Sequence, residues 1–151
     1  MRQLLLFLHL VAIVTWIGGG MLLAPWGARA RRGGQPHLIA FAAETTASLT
    51  DRALVPAMLM AVATGLALAF VEGLVSPVPR WLIAKTALVA VTVAAALALQ
   101  RPTGQALVAA LRASSRKANA QVPHLARRQR QWGMVIGLLA LVIMALAIFK
   151  P

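Results

Sequence analysis

The chain has no cysteine, and only three of its 151 residues are acidic. Without cysteine it cannot form a disulfide, a thiolate metal site or a cysteine nucleophile. Three carboxylates are too few for a dedicated carboxylate cage around a metal ion. The run Gly18-Gly19-Gly20 does not continue as a dinucleotide-binding fingerprint, and the sequence has no phosphate-binding loop. These absences exclude thiol-dependent, carboxylate-metal and common nucleotide-dependent chemistries.

Charged residues make up only 12% of the chain, whereas 60% of the residues are hydrophobic and the mean hydropathy is +0.80. This composition lies outside the range of soluble domains. A helix needs about 20 mostly apolar residues to cross a membrane. Four runs have about this length: 4–25, 54–75, 81–99 and 132–149. We therefore predict an all-α protein in which residues 1–151 form a single integral membrane bundle of four transmembrane helices.

The net charge of +12 comes from basic residues concentrated in two connections. Those between the first and second runs, and between the third and fourth, are Arg29, Arg31, Arg32, Arg52, Arg101, Arg112, Arg116, Lys117, Arg127, Arg128 and Arg130. Since loops rich in Lys and Arg stay in the cytoplasm, both termini are predicted to be outside. We expect a multi-pass protein of a bacterial inner (plasma) membrane. Its predicted partners are the lipid bilayer and the anionic lipid headgroups at the inner face, and not nucleic acid.

The N-terminus has a second interpretation. Arg2, the apolar run and the small-residue triplet Ala28-Arg29-Ala30 together imitate a cleavable signal peptide. The apolar run is longer than the usual signal-peptide core, and arginines follow it as they follow a retained span. We therefore interpret it as a transmembrane helix.

Two segments beside the spans, 36–50 and 105–120, have the spacing of amphipathic helices at the inner surface. The first can run directly into the second span. The proline-containing segment 101–104 is expected to break or kink the third helix. The segment 76–79, Ser-Pro-Val-Pro, predicts a short, stiff turn, so spans two and three are expected to pack together.

His9 and Lys85 are ionisable residues inside apolar runs. Such a residue costs about 3 kcal/mol at the centre of a membrane helix, which makes it a functional hypothesis by default. Counted from the outer ends of their helices, His9 lies roughly 8 Å deep and Lys85 roughly 6 Å deep, at 1.5 Å per residue. Thr64-Gly65 and Met144 come within a turn or two of the same level. We expect these residues to form the wall of a pocket.

A neutral imidazole in an apolar bundle is a good axial ligand for haem iron, which makes His9 the predicted metal ligand. Lys85 could pair with a haem propionate or a substrate carboxylate. Trp16 follows His9 by seven residues and shares its helix face, either under a ligand or as core packing. Met144 is the candidate for a second axial ligand, because its depth in the fourth span is similar to that of His9. In the alternative, His9 only hydrogen-bonds to another helix and Lys85 extends to the headgroups.

His37 and His124 both fall at the predicted inner surface. They are candidates for a second metal site or, more simply, interfacial histidines.

Several motifs resemble those of HemJ-type protoporphyrinogen oxidases and the related CopD-type copper-resistance membrane domains. They are Leu8-His9 with Trp16, Gly19 and Pro25; Arg52 with Pro56 and Gly65; Trp81-Leu82-x-x-Lys85; and Phe149-Lys150-Pro151. The HemJ resemblance implies a helical membrane protein that binds haem b, with His9 and Lys85 required for oxidation of protoporphyrinogen IX. HemJ-type proteins usually carry tyrosines and a further histidine after the first-span proline, whereas this chain has no tyrosine.

The leading hypothesis is a haem b protein in membrane electron transfer that passes electrons to a membrane acceptor. His9 and Lys85 would be the catalytic residues, and His9, Trp16, Lys85 and Met144 the cofactor-binding ones. The alternatives are a copper-handling or small-solute transport protein, or an accessory subunit of a larger membrane complex. A homo-oligomer is compatible with each of them.

Overall fold

The computed structural model describes residues 1–113 and 116–149, and every element in them is helical, as predicted. The helices are α1 (Arg2–Ile13), α2 (Gly19–Arg32), α3 (Pro36–Leu49), α4 (Val55–Val71), α5 (Arg80–Ala95), α6 (Arg101–Arg112) and α7 (Arg116–Phe149). Lys150 and Pro151 of the C-terminal motif lie outside the described residues.

Three π-helical turns join six of these helices into three continuous rods. Val14–Gly18 joins α1 to α2, Thr50–Leu54 joins α3 to α4, and Ala96–Gln100 joins α5 to α6. Together with α7, the rods provide four helices that are long and apolar enough to cross a membrane: Arg2–Arg32, Pro36–Val71, Arg80–Arg112 and Ala120–Ile148. The four predicted spans are therefore confirmed.

These helices are longer than the apolar runs from which they were predicted. Helices of 29 to 36 residues are roughly 44–54 Å long at 1.5 Å per residue, whereas the hydrocarbon core of a bilayer is about 30 Å thick. The segment 36–50 continues directly into the second span, as expected. The segment predicted as a helix over 105–120 ends instead at Arg112, and Ala113 is extended.

Two of the π-helical turns are explained by proline. Pro56 and Pro102 stand near the starts of α4 and α6, just after a π-helical turn. Because proline has no N–H, the carbonyl four residues earlier loses its α-helical donor, and the hydrogen-bond ladder can shift to the next residue. The third helix therefore passes through 101–104 without the predicted break.

The two ends of the bundle pack differently. We call α2, α3, α6 and residues 116–133 the arginine half, and α1, α4, α5 and residues 134–149 the terminal half. In the arginine half α2 packs against α3, α3 against α6, α6 against α7 and α7 against α2, which closes a ring. In the terminal half α1 packs against α4 and α5 against α7. Among the described residues, α4 and α5 make at most marginal contact, so spans two and three do not pack beside the 76–79 turn. They pack together at the other end, through α3 and α6.

A small apolar core lies where the two halves meet. Met58, Ala96 and Ile136 are buried against one another, and Trp16 packs on this cluster, so all four spans contribute to it. Since polar solvent is absent from a bilayer core, such contacts stabilise by close packing more than by the hydrophobic effect. The cluster fixes the distance between the two helix pairs of the terminal half.

Candidate ligand site around His9

His9 lies on α1 at the interface with α4. This interface is built on small residues of α4 that recur every four positions, Ala57, Ala61 and Gly65, which let two membrane helices approach closely. The buried Ala12 of α1 is one helical turn from His9 on the same side. The close approach of the two backbones brings the His9 ring directly onto α4.

The partner of His9 is Thr64. The Nδ1 atom of His9 is 3.1 Å from the Thr64 hydroxyl oxygen. That hydroxyl donates its own hydrogen to the Met60 carbonyl at 2.7 Å. With the Thr64 hydrogen directed to Met60, the hydroxyl accepts in its bond with His9 and Nδ1 donates, in the tautomer that carries its proton there. The backbone of Ala61 on α4 is a further hydrogen-bond partner of the ring. The neutral ring then carries its lone pair on Nε2, the nitrogen that remains for a ligand bond.

Gly65 supplies the room that the ring occupies. A Cβ atom built at Gly65 would lie 3.0 Å from Cε1 of His9 and 3.5 Å from Nδ1. The first of these distances is too short for ordinary contact, so any other residue would displace the imidazole. The predicted placement of Thr64-Gly65 beside His9 is therefore confirmed.

Lys85 reaches the same region from α5. Its side chain is half-buried, and its positive charge is close enough to act electrostatically on the His9 ring. The two residues belong to opposite helix pairs of the terminal half, His9 to α1 and α4 and Lys85 to α5 and α7. That they share a depth stays a prediction.

Trp16 is not beside His9. It lies in the first π-helical turn and packs on the cluster of Met58, Ala96 and Ile136. Of the two roles predicted for Trp16, core packing matches the contacts of its ring. The other role, a position under a bound ligand, stays a prediction.

The other candidates are also apart from His9. Met144 is on α7, which makes at most marginal contact with α1 in the described part of the chain. His37 is exposed at the start of α3, and His124 lines a groove on α7. Among the described residues there is no group of three or more His, Cys, Asp or Glu side chains that could hold a metal ion.

A polar cluster around Asp51 in the arginine half was not predicted from the sequence. Asp51, in the second π-helical turn, accepts hydrogen bonds from Arg101 at 2.6 Å and from Gln105 at 3.2 Å. Gln129 of α7 lies against Gly104, and its buried Oε1 has no partner among the described residues. The composition could have indicated this pairing, because the chain has only three carboxylates and many arginines.

A second ion pair continues this cluster away from the membrane centre. Glu44 of α3 pairs with Arg112 of α6 at 2.8 Å. Asp51 and Glu44 are seven residues apart and so share one helix face, which faces α6. The two pairs fix α3 and α6 together in the ring.

Comparison with known proteins gives a family for this chain. A family model described as "predicted integral membrane protein (DUF2269)" matches residues 3–151. No curated protein and no solved structure matches the chain. The match covers all four helices and both halves of the bundle. The protein is a member of the DUF2269 family of predicted integral membrane proteins.

Proposed function

We propose that this protein binds haem b through His9 and takes part in membrane electron transfer. The observation that carries the proposal is the hydrogen bonding of His9. Thr64 accepts the Nδ1 proton because its own hydrogen goes to Met60, so the Nε2 lone pair faces no competing proton. Histidines that bind metals typically have their other ring nitrogen fixed by such a partner.

The donor set favours a porphyrin over a bare metal ion. A bare ion needs three or four protein ligands, and the described residues contain no such group of His, Cys, Asp or Glu. A porphyrin brings four nitrogen ligands and needs one or two axial ligands from the protein. A single oriented histidine in an apolar bundle therefore fits haem, because the porphyrin supplies the remaining equatorial ligands.

Each nearby residue has a distinct part in this proposal. His9 would hold the iron, Thr64 would fix the tautomer and direction of the imidazole, and Gly65 would leave room for the ring. Lys85, across from His9, would pair with a propionate or a substrate carboxylate. When bound, haem supplies one-electron exchange, and the chain supplies binding, orientation and exclusion of water.

The resemblance to HemJ-type oxidases suggests protoporphyrinogen IX as the first substrate to test. Its oxidation to protoporphyrin IX releases six electrons and six protons, which must pass to a membrane acceptor. We place the arginine half on the cytoplasmic side of a bacterial inner membrane, because its loops carry most of the basic residues. His9 and Lys85 then lie nearer the outer face.

Absorption spectra test haem binding. Protein purified from haem-replete cells should show a b-type spectrum after reduction with dithionite, and His9→Ala should abolish it. His37→Ala and His124→Ala are matched controls, since the chain has three histidines and these two are exposed at the other end. A colourless wild type, or retained haem in His9→Ala, would refute the proposal.

Thr64→Val tests the hydrogen-bond argument. It keeps the shape of the side chain but removes the acceptor for Nδ1, and we expect haem affinity to fall about tenfold, the lower range for such outer partners. Thr92→Val is the matched control, because Thr92 is fully buried on α5 and bonds only to the Leu88 carbonyl among the hydrogen bonds described. Equal losses in the two variants would contradict a specific role for Thr64.

Substrate and cofactor identity need separate measurements. Oxidation of protoporphyrinogen IX by membranes containing the wild type, and its loss in His9→Ala and Lys85→Gln, would support the oxidase. Copper in place of iron by metal analysis would favour the copper-handling alternative, and co-purification of large partners the accessory subunit.

A further inference from the structure

A groove runs along one face of α7 in the arginine half, far from His9. It has a volume of about 450 Å³ and is lined by His124, Arg127, Arg128, Gln131, Trp132 and Val135. These residues follow one another at intervals of three or one, so they form a single stripe about three turns long. Along the stripe the side chains change from cationic to polar to apolar.

The positive charge of this stripe is not balanced within the chain. All three side-chain carboxylates are paired with arginines elsewhere: Glu72 with Arg2, Asp51 with Arg101, and Glu44 with Arg112. Arg127 and Arg128 are exposed on α7, which carries no acidic residue. The anion that neutralises them must therefore come from outside the protein.

Trp132 marks where the groove meets the hydrocarbon. It is roughly 26 Å from the far end of α7 at 1.5 Å per residue, close to the thickness of the hydrocarbon core, and His124 is roughly 12 Å beyond it. The indole nitrogen of Trp132 is buried and has no acceptor among the described residues. A buried donor of this kind normally has a partner. The ring of Trp132 thus lines the groove at the depth of lipid phosphate and ester oxygens.

We propose that this groove is a binding site for one anionic phospholipid. The phosphate contacts Arg127 and Arg128, with His124 at the outer edge of the headgroup. The ring of Trp132 lies beside the ester region, and the first part of an acyl chain lies along Val135. Along α7 the side chains change from cationic to polar to apolar, and a phospholipid changes in the same order from phosphate to ester to acyl chain. The volume of the groove is within the range of ligand pockets.

The test compares two double variants that remove the same charge. Full-length protein is reconstituted in nanodiscs of phosphatidylcholine with increasing phosphatidylglycerol, and the lipid retained on the protein is measured by native mass spectrometry. Arg127→Gln/Arg128→Gln should weaken phosphatidylglycerol retention about 30-fold, from two arginines near the surface. Arg31→Gln/Arg32→Gln changes two exposed arginines at the end of α2 and should weaken it less than about threefold.

Trp132→Ala provides a second test that is independent of charge. It removes the ring that lines the groove between the arginines and Val135, and we expect a twofold to fivefold loss of retained lipid with an unchanged helical circular dichroism spectrum. Equal effects of the two double variants, or equal retention of the neutral and anionic lipids by the wild type, would overturn the proposal. Displacement of the lipid by millimolar inorganic phosphate would overturn it as well, because a soluble anion would then be the better ligand.

Discussion

The arginine half and the terminal half use the same four polypeptide segments in opposite ways. In the arginine half each helix contacts two neighbours and the ring is closed. Two ion pairs, Asp51 with Arg101 and Glu44 with Arg112, join α6 to the second span there. In the terminal half the helices separate into two pairs, and the His9 ring lies between α1 and α4, bonded to Thr64. Ion pairs therefore join helices across the ring at one end, whereas at the other end a neutral hydrogen bond joins the two members of one pair.

The difference shows that tight packing is concentrated in one half of the bundle. A closed ring with charge-assisted hydrogen bonds resists movement, since each pair has a fixed partner. Two helix pairs that meet mainly at the central cluster, as in the described part of the terminal half, can separate or rotate with fewer lost contacts. A ligand site is commonly built where such a less tightly packed region is held by a rigid one.

The largest effect is expected at the junction of the halves. Met58 is 1% exposed and contacts the other spans through Ala96 and Ile136. Met58→Ala should lower the free energy of unfolding by about 2–4 kcal/mol, because it opens a cavity at the point where all four helices meet. The measurement is denaturant unfolding in mixed micelles. Met60→Ala is the control, since Met60 is 48% exposed, and a similar loss there would show that the cluster is not special.

The next effect concerns the terminal half alone. Gly65→Ala should lower the free energy of unfolding by about 1–2 kcal/mol, since the added methyl group meets the His9 ring and its cost exceeds the gain in helix propensity. It should also reduce any haem bound through His9. Gly137→Ala, in α7, adds the same methyl where nothing lies within 4 Å. A stabilised Gly65→Ala variant with normal haem content would contradict the described contact.

In the arginine half, Asp51→Asn should cost about 1 kcal/mol, because Arg101 and Gln105 lose a charged acceptor in a partly exposed pair. Hydrogen exchange should show faster exchange in α6 and the turn at residues 50–54, with α1 and the end of α4 unchanged. If the terminal half were to loosen to the same extent, the two halves would not be independent.

The smallest effect is expected for the ion pair at the tip of the terminal half. Arg2 and Glu72 are 3.0 Å apart, with side chains that are 63% and 38% exposed. Glu72→Gln should change the free energy of unfolding by less than about 0.5 kcal/mol, as for most exposed pairs. A loss as large as that of Asp51→Asn would mean that the terminal half is also held by charge.

Much of the fold follows from the sequence because apolar runs of sufficient length have few alternatives in a bilayer. The placement of Thr64 and Gly65 beside His9 followed from helical rise alone. Helix adjacency did not, since the 76–79 turn suggested that α4 and α5 pack together, whereas Ala57, Ala61 and Gly65 direct α4 to α1. The pairing of Asp51 with Arg101 depends on which rods are neighbours, and no local pattern contains that information.

Along three of the helices, the π-helical turns also set how one half is rotated relative to the other. A π-helical turn holds one residue more than the α-helix around it, so it changes the direction in which every later side chain points by about a quarter of a turn. Residues at Val14–Gly18 thus set the angle between two helix faces. One is the face of α1 that carries His9, and the other is the face of α2 that packs against α3 and α7 in the arginine half. A single-residue deletion there would keep both halves helical, yet turn His9 away from Thr64 or turn α2 out of the ring.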